Sequence, residues 1–377
     1  MRLIRFVGAA IAAGVLLTGG TASAATVQKS PLRAPEFDGA VYATAYLGDT
    51  VYVGGSFGNA IVAGRSYPRG RLAAFNARTG ALLDWAPSAD DTVRALAADG
   101  NAVYMAGDFQ RVSGARRDSL ARLDATTGAV DAFSHAVAGS PLALGVGGGR
   151  LYVAGRFTGI DAARRTNLAA FDVATGALDA RWTPTADDAV EALAVTADRV
   201  YLAGSFHRTD DVANSLRLTA VDPVTGALDR GFLPRPPAIV FAVAVGADGT
   251  VYAGMGGQGG RAVAYTPGGK VRWTRVFDGD VQAVAALGGV AYLGGHFDKA
   301  CKTPNNGSQG TCTDGSVPRV KLAAVDASGR LLDWAPQANG IAGVRALTAA
   351  GTLHQLTAGG EFTMVGGSSR KRLAVFG

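Results

Sequence analysis

Seven short apolar segments of this chain each carry one residue whose type changes at the same place. The series is Tyr42, Arg94, Leu142, Glu191, Phe241, Gln282 and Arg345. The surrounding positions are mostly Val, Ala and Leu, so the polar members stand out. Arg94, Arg345 and Tyr42 suit an anionic ligand, because a guanidinium fork pairs bidentately with carboxylate or phosphate. The plainer alternative ties each arginine to a nearby aspartate. Aspartates cluster just ahead of the segments, at Asp38, Asp90-Asp91, Asp187-Asp188, Asp278 and Asp280. Two roles fit them: contact with a cation or sugar hydroxyls, or acceptance of backbone N–H groups in turns. Calcium needs about six to eight converging oxygens, and no loop has an Asp-x-Asp-x-Asp run. The candidate ligand-binding set is therefore Tyr42, Arg94, Glu191, Gln282 and Arg345, with Asp90, Asp91, Asp187 and Asp188.

A second group of charges precedes another recurring segment. It comprises Arg71, Arg217, Arg261, Lys321 and Arg372, with Arg116-Arg117, Arg164-Arg165 and Arg370-Lys371. The expectation is solvated strand-end charge that protects sheet edges. An anionic cell-surface polymer is the alternative use. Lys+Arg total 36 against 30 Asp+Glu, but the excess is scattered and forms no dense block. Nucleic acid is therefore not the expected partner. His135, His207, His296 and His354 have no metal-binding spacing among themselves. Neither a G-x-S-x-G, a Walker loop nor an H-E-x-x-H is present. No catalytic residue, metal or cofactor is assigned.

The first residues read as an export signal. Arg2 and Arg5 precede the apolar run Val7 to Leu17, and Ala22-Ser23-Ala24 is an A-x-A site, so cleavage after Ala24 is expected. The run is short for a membrane span. In an exported protein, Cys301 and Cys312 are expected to form one disulfide.

The elements that hold these residues come from an internal repeat. Val51-Tyr52-Val53-Gly54-Gly55-Ser56-Phe57 returns as Val103 to Phe109, Leu151 to Phe157 and Val200 to Phe206. A degenerate copy begins at Val251-Tyr252. Ala291 to Phe297 and a copy ending Gly359-Gly360-Glu361-Phe362 complete the set. The segments with the variable residue precede each copy. A third run follows, as in Leu72 to Asn76 and Leu120 to Asp124. A Thr-Gly turn and an aromatic come last, as in Thr79-Gly80 and Trp85. Four short apolar runs bounded by Gly, Asp and Asn turns are strand signals, and no sustained helical period competes with them. With 48% hydrophobic residues, disorder is excluded.

Four antiparallel strands in about 50 residues make one propeller blade. The expected fold is all-β: a seven-bladed β-propeller, with residues 25–377 as one domain. The last copy stops after its third strand at Phe376-Gly377. The stretch Lys29 to Pro35 is expected to supply the missing fourth strand and close the ring. In such a blade the long polar loops share one face. Copy five has almost no loop there, between Gly254 and Arg261, so a notched rim is expected.

The units resemble secreted bacterial propeller repeats of the PQQ-like (quinoprotein-like) and delta-sixty kinds. Quinoprotein blades carry A-x-D-x-x-T-G-x-x-x-W. Ala74-Phe75-Asn76-Ala77-Arg78-Thr79-Gly80 follows it, with Trp85 one residue late; after Ala170 to Gly176, Trp182 is two late. The resemblance implies blade architecture without a bound quinone. The expected function is non-enzymatic binding of a glycan, an anionic polymer or another partner through the long-loop face, by a secreted monomer. A lyase or hydrolase with its site in the funnel and a structural envelope module are the rivals.

Overall fold

The computed structural model describes residues 26–377. The expected signal peptide and its cleavage site lie outside the described residues. Regular structure is β-strand apart from one three-residue 3-10 turn at Ser308–Gly310. No helix of the described residues is long and apolar enough to cross a membrane.

Each repeat forms an antiparallel sheet with its second strand in the middle. Val41–Leu47, Thr50–Gly55 and Leu72–Asn76 pair in that order, and so do Val93–Asp99, Ala102–Gly107 and Leu120–Asp124. Five further sheets repeat the order, the last from Val344–Ala350, Gln355–Gly360 and Leu373–Phe376. Sheets stack face to face, so the middle strand is covered on both sides. Its sequence is accordingly an unbroken apolar run rather than an alternation. First strands of successive sheets pack side by side, and Val344–Ala350 packs against Val41–Leu47.

Every first strand carries a bulge at its variable residue. Pairing skips from Val41 to Ala43, Val93 to Ala95 and Pro141 to Ala143. It skips likewise from Val190 to Ala192, Val240 to Ala242, Val281 to Ala283 and Val344 to Ala346. In six repeats a glycine of the second strand, paired with the residue before the bulge, makes room for this; Met255 takes its place in the fifth. A Cβ at Gly107 would lie 2.1 Å from Thr92 O, and one at Gly360 would lie 2.1 Å from Gly343 O. The next residue then donates its N–H to that carbonyl: Asp108 to Thr92 O and Glu361 to Gly343 O, both at 2.9 Å.

The fourth segment differs from expectation. It is a full strand only in the fifth repeat, at Val271–Phe277. Elsewhere it touches the third strand through single bridges such as Phe75 with Leu82 and Phe171 with Leu178. Pro87, Pro184 and Pro336 follow the aromatic by two residues and cannot donate to a ladder. Arginine forks hold the segment instead. Arg69 Nη2 donates to Leu83 O at 2.8 Å, Arg165 to Asp179 O at 3.0 Å and Arg319 to Leu332 O at 2.8 Å. The charges ahead of the third strand were expected in solvent. Arg165 and Lys321 are instead only 8% and 6% exposed, and Arg319, two residues before Lys321, is 8% exposed. The two arginines are buried because the fourth-segment carbonyls they bind have no strand beyond them, whereas Lys321 Nζ donates to His296 O and Asp298 Oδ1, both at 2.8 Å.

Between sheets, tyrosine and tryptophan of one repeat meet edge-on and reach the backbone of the next. Trp85 Nε1 donates to Asp124 O at 3.0 Å, and Tyr52 Oη to Ala125 O at 2.7 Å. Trp182 and Tyr152 do the same to Asp222 O and Pro223 O. Where the aromatic is Phe, an arginine takes over. Arg122 lies over Phe133, pairs with Asp131 and donates to Val173 O at 2.8 Å. Arg199 lies over Phe232, pairs with Asp229 and donates to Pro267 O at 2.7 Å. Val173 and Pro267 are the counterparts of Ala125 and Pro223.

Cys301 and Cys312 are bonded. Their insertion corrects the expected notch at copy five. Ala300 pairs with Phe277 of the fifth sheet, and Arg261 Nη2 donates to Asn306 Oδ1 at 3.3 Å. The long loop of copy six thus covers the short rim of copy five.

Residues before the first strand lie along the last sheet. Leu32 N–H donates to Val375 O at 2.7 Å, in the place that Leu83 to Ala74 O and Leu332 to Ala324 O hold in other repeats. Gln28 N–H donates to Gly377 O at 2.8 Å, and Trp334 Nε1 reaches Gln28 O at 3.3 Å. Residues 28–35 form no regular strand; like most fourth segments, they make isolated bonds.

Two outcomes are expected. Gly107→Ala forces strands apart at a backbone contact and lowers stability by about 1–3 kcal/mol; an unchanged denaturation midpoint would contradict the bulge argument. Arg122→Ala costs about 1–3 kcal/mol by removing a charged hydrogen-bond donor. Adding Phe133→Trp restores the sibling arrangement and recovers much of the loss. A double variant that melts no higher than Arg122→Ala counts against the substitution of arginine for indole.

Candidate functional site

The seven first strands line one cavity of about 210 Å³. Its walls include Tyr42, Leu142, Glu191, Phe241, Gln282 and Arg345, each at the bulge of its strand. Arg94 holds the same position in the second repeat, and the next two residues, Ala95 and Leu96, line the cavity. A bulge breaks the alternation of a strand and re-aims one side chain. Here it turns seven equivalent residues toward a common mouth, beside the long loops.

The structure gives the two arginines partners other than those expected. Arg94 binds Asp108 bidentately, Nε to Oδ1 at 2.8 Å and Nη2 to Oδ2 at 2.6 Å. Arg345 Nε lies 3.6 Å from Glu361 Oε1. Asp108 and Glu361 are the residues just after the close-approach glycines. The expected pairing with aspartates ahead of the first strand is therefore corrected: the bulge places the arginine over the end of its neighbouring strand. Both pairs are part-exposed, which limits their contribution to stability.

The aspartates ahead of the strands mostly hold loops. Asp90 Oδ1 accepts the N–H groups of Gln110 and Arg111, both at 2.9 Å. Burial pushes the Asp90 carboxyl up, but these backbone donors outweigh it and hold the group below its usual range. Asp187 Oδ1 accepts from His207 at 2.7 Å and Arg208 at 2.9 Å. Asp38 and Asp278 do the same. Asn339 performs this role in the last repeat, accepting from Thr363 and Met364. Sequence reading missed Asn339. The aspartates stand 20 and 21 residues before the N–H groups they bind, but Asn339 stands 24 and 25 before its own, so the spacing did not reveal it. Asp91 Oδ1 accepts from Thr92 N–H at 2.6 Å. Asp188 Oδ1 accepts from Ala189 N–H at 2.7 Å and meets Arg156 Nη2 at 3.2 Å.

The arc through copies four, five and six is different. Glu191 is half-buried, and burial pushes its carboxyl above the usual range, with Arg156 opposing. The side-chain oxygen of Gln282 is sealed from solvent and has no hydrogen-bond partner. Phe241 and Asp280 crowd Gly256, where a Cβ would lie 2.6 Å from the ring and 2.9 Å from Asp280 Oδ1. Burial raises the Asp280 carboxyl, opposed by His296, whose Nδ1 is 3.8 Å from Oδ2. The mouth therefore has one arc of matched charges and one of acceptors around an aromatic ring. Among the described residues, no group of three or more His, Cys, Asp or Glu is placed to hold a metal ion.

No family model and no curated protein matches the sequence. Solved structures do match in shape. The WD40 β-propeller domain of Doa1 superposes with a TM-score of 0.58 at 12% identity, covering 92% of this chain and 96% of that domain. The computationally designed Ika8 protein gives a TM-score of 0.48 at 16% identity, over 90% of this chain and 98% of its own. The Doa1 domain shows the fold alone: this chain is an all-β protein with a β-propeller neighbour.

Proposed function

We propose that this chain is a secreted, non-enzymatic, seven-bladed β-propeller that binds a small ligand at the mouth of its central channel. One observation carries the reading. Seven bulges are built alike, yet the residue each one presents is Tyr, Arg, Leu, Glu, Phe, Gln or Arg. Repeats keep what the fold needs, so divergence at one position that faces a shared cavity is what ligand recognition requires. The aspartates at the mouth are largely spent on loops and ion pairs, which favours binding over acid–base chemistry.

Residues 25–377 form one domain in this proposal, with residues 1–24 as its export signal. The Cys301–Cys312 bond suits an oxidising compartment. The N-terminal segment completes the seventh blade through Leu32, and Trp334 docks on it as Trp85 docks on the second repeat.

Ring closure is tested by deleting residues 26–35 from the mature chain. The variant is expected to expose a sheet edge, aggregate and melt lower. A monomer on size exclusion with the parent melting temperature would falsify closure. Binding is tested with a glycan and metabolite panel on the parent and on Tyr42→Ala, Glu191→Ala and Gln282→Ala. A specific ligand should lose about tenfold in affinity, near 1.4 kcal/mol, in at least one variant whose melting is unchanged. A ligand held equally by all three variants and the parent places binding elsewhere.

A further inference from the structure

The mouth was expected to favour anions, and its charge arrangement argues for the opposite class. Its ion pairs join Arg94 to Asp108, Arg345 to Glu361 and Arg156 to Asp188; none includes Glu191. Each arginine is thus neutralised by a carboxylate at close range. An incoming carboxylate or phosphate would have to displace Asp108 or Glu361, which are tethered to the same sheet.

What the cavity leaves unsatisfied are acceptors. Glu191 and Gln282 line it from copies four and six, and Phe241 lines it from copy five between them. The Gln282 amide oxygen is buried without a donor. Asp280 stands beside the Phe241 ring across Gly256, with His296 Nδ1 3.8 Å from its Oδ2. Two carboxylates and an amide oxygen beside an aromatic ring all attract the same thing. An ammonium group supplies N–H donors and a positive charge for the oxygens, and an aromatic ring is a favourable neighbour for such a charge. A neutral sugar supplies donors but brings no positive charge to the two carboxylates.

Resting on the reading of the mouth as the binding site, we propose that its ligand is an organic cation, seated through an ammonium group between Glu191 and Gln282 against Phe241. Arg156 and Arg94 lie near enough to Glu191 to act on its carboxyl, while each holds its own carboxylate partner. Phe241 provides the apolar wall for the carbon skeleton, and the matched arginine pairs exclude anionic competitors.

The test is calorimetric titration of the folded mature chain with 1,5-diaminopentane, glucosamine, glucose and glucuronate. The two amines are expected to bind at least about tenfold tighter than glucose, and glucuronate weakest. Glu191→Gln and Phe241→Leu should each weaken the amines about fivefold or more. Gln282→Leu provides a second test should Glu191→Gln fail to fold. Glucose or glucuronate binding as tightly as the amines, and weakened by Phe241→Leu, overturns the cation and keeps the site. Amine binding that no mouth variant changes overturns both readings. Absence of amine binding at millimolar concentration overturns the cation.

Discussion

The architecture depends on a close approach of two backbones. In six of the seven repeats the carbonyl ahead of the bulge presses on a glycine of the second strand, leaving no space for a methyl group; Met255 takes that place in the fifth. The following N–H turns to that carbonyl and locks the bulge. Its consequence reaches the site directly. The residue at the bulge is released from the alternation that buries its neighbours, so its identity is free to vary while the flanking Val and Ala remain in the core. One steric requirement thus separates what must be kept from what is available for recognition.

Sheet stacking adds a second layer of constraint, satisfied in two chemical ways. An indole reaches across to a carbonyl of the next repeat, or an arginine lying on a phenylalanine does. The arginine solution needs an aspartate to hold the fork, and Asp131 and Asp229 supply it. It also displaces the tyrosine hydroxyl: Tyr104 Oη is buried without a partner, whereas Tyr52 and Tyr152 bond across the interface. The same arithmetic of orphaned carbonyls explains Arg69, Arg165 and Arg319, which bind a segment that prolines keep out of the ladder.

This division decides what could be read from sequence. The sheets were legible because apolar runs and Gly-Gly pairs recur at a near-constant period. The Cys301–Cys312 bond was legible from context. The bulge residues were found as a series, because a polar side chain among Val and Ala is conspicuous. Their partners were not. Arg94 meets Asp108 across a hairpin, 14 residues away, and only the bulge geometry selects it over Asp90 or Asp91. Buried arginines ahead of the third strand looked like surface charge, since a guanidinium bound to carbonyls leaves no complementary residue type in the sequence. The filled rim of copy five depends on a loop from copy six, a contact that no repeat alignment contains.

The acceptor arc at the mouth is one of several places where a buried polar atom lacks a partner, and among the described residues it is the one that lines the central cavity. A buried polar atom left without a partner costs about 1–3 kcal/mol, and burial of an unpaired carboxylate costs more. The neighbouring charged groups take partners: Asp90 and Asp187 accept backbone donors, and the part-exposed Arg94 has a bidentate partner. A leucine at position 282 or 191, as Leu142 already shows at the same bulge, would fit the scaffold without leaving a carboxylate or amide unsatisfied. Retaining Glu191 and Gln282 around Phe241 is therefore hard to account for by folding alone. Such local concessions collect where a protein binds something. The missing donors and positive charge define the complement, and a ligand carrying both restores the balance that the isolated fold lacks.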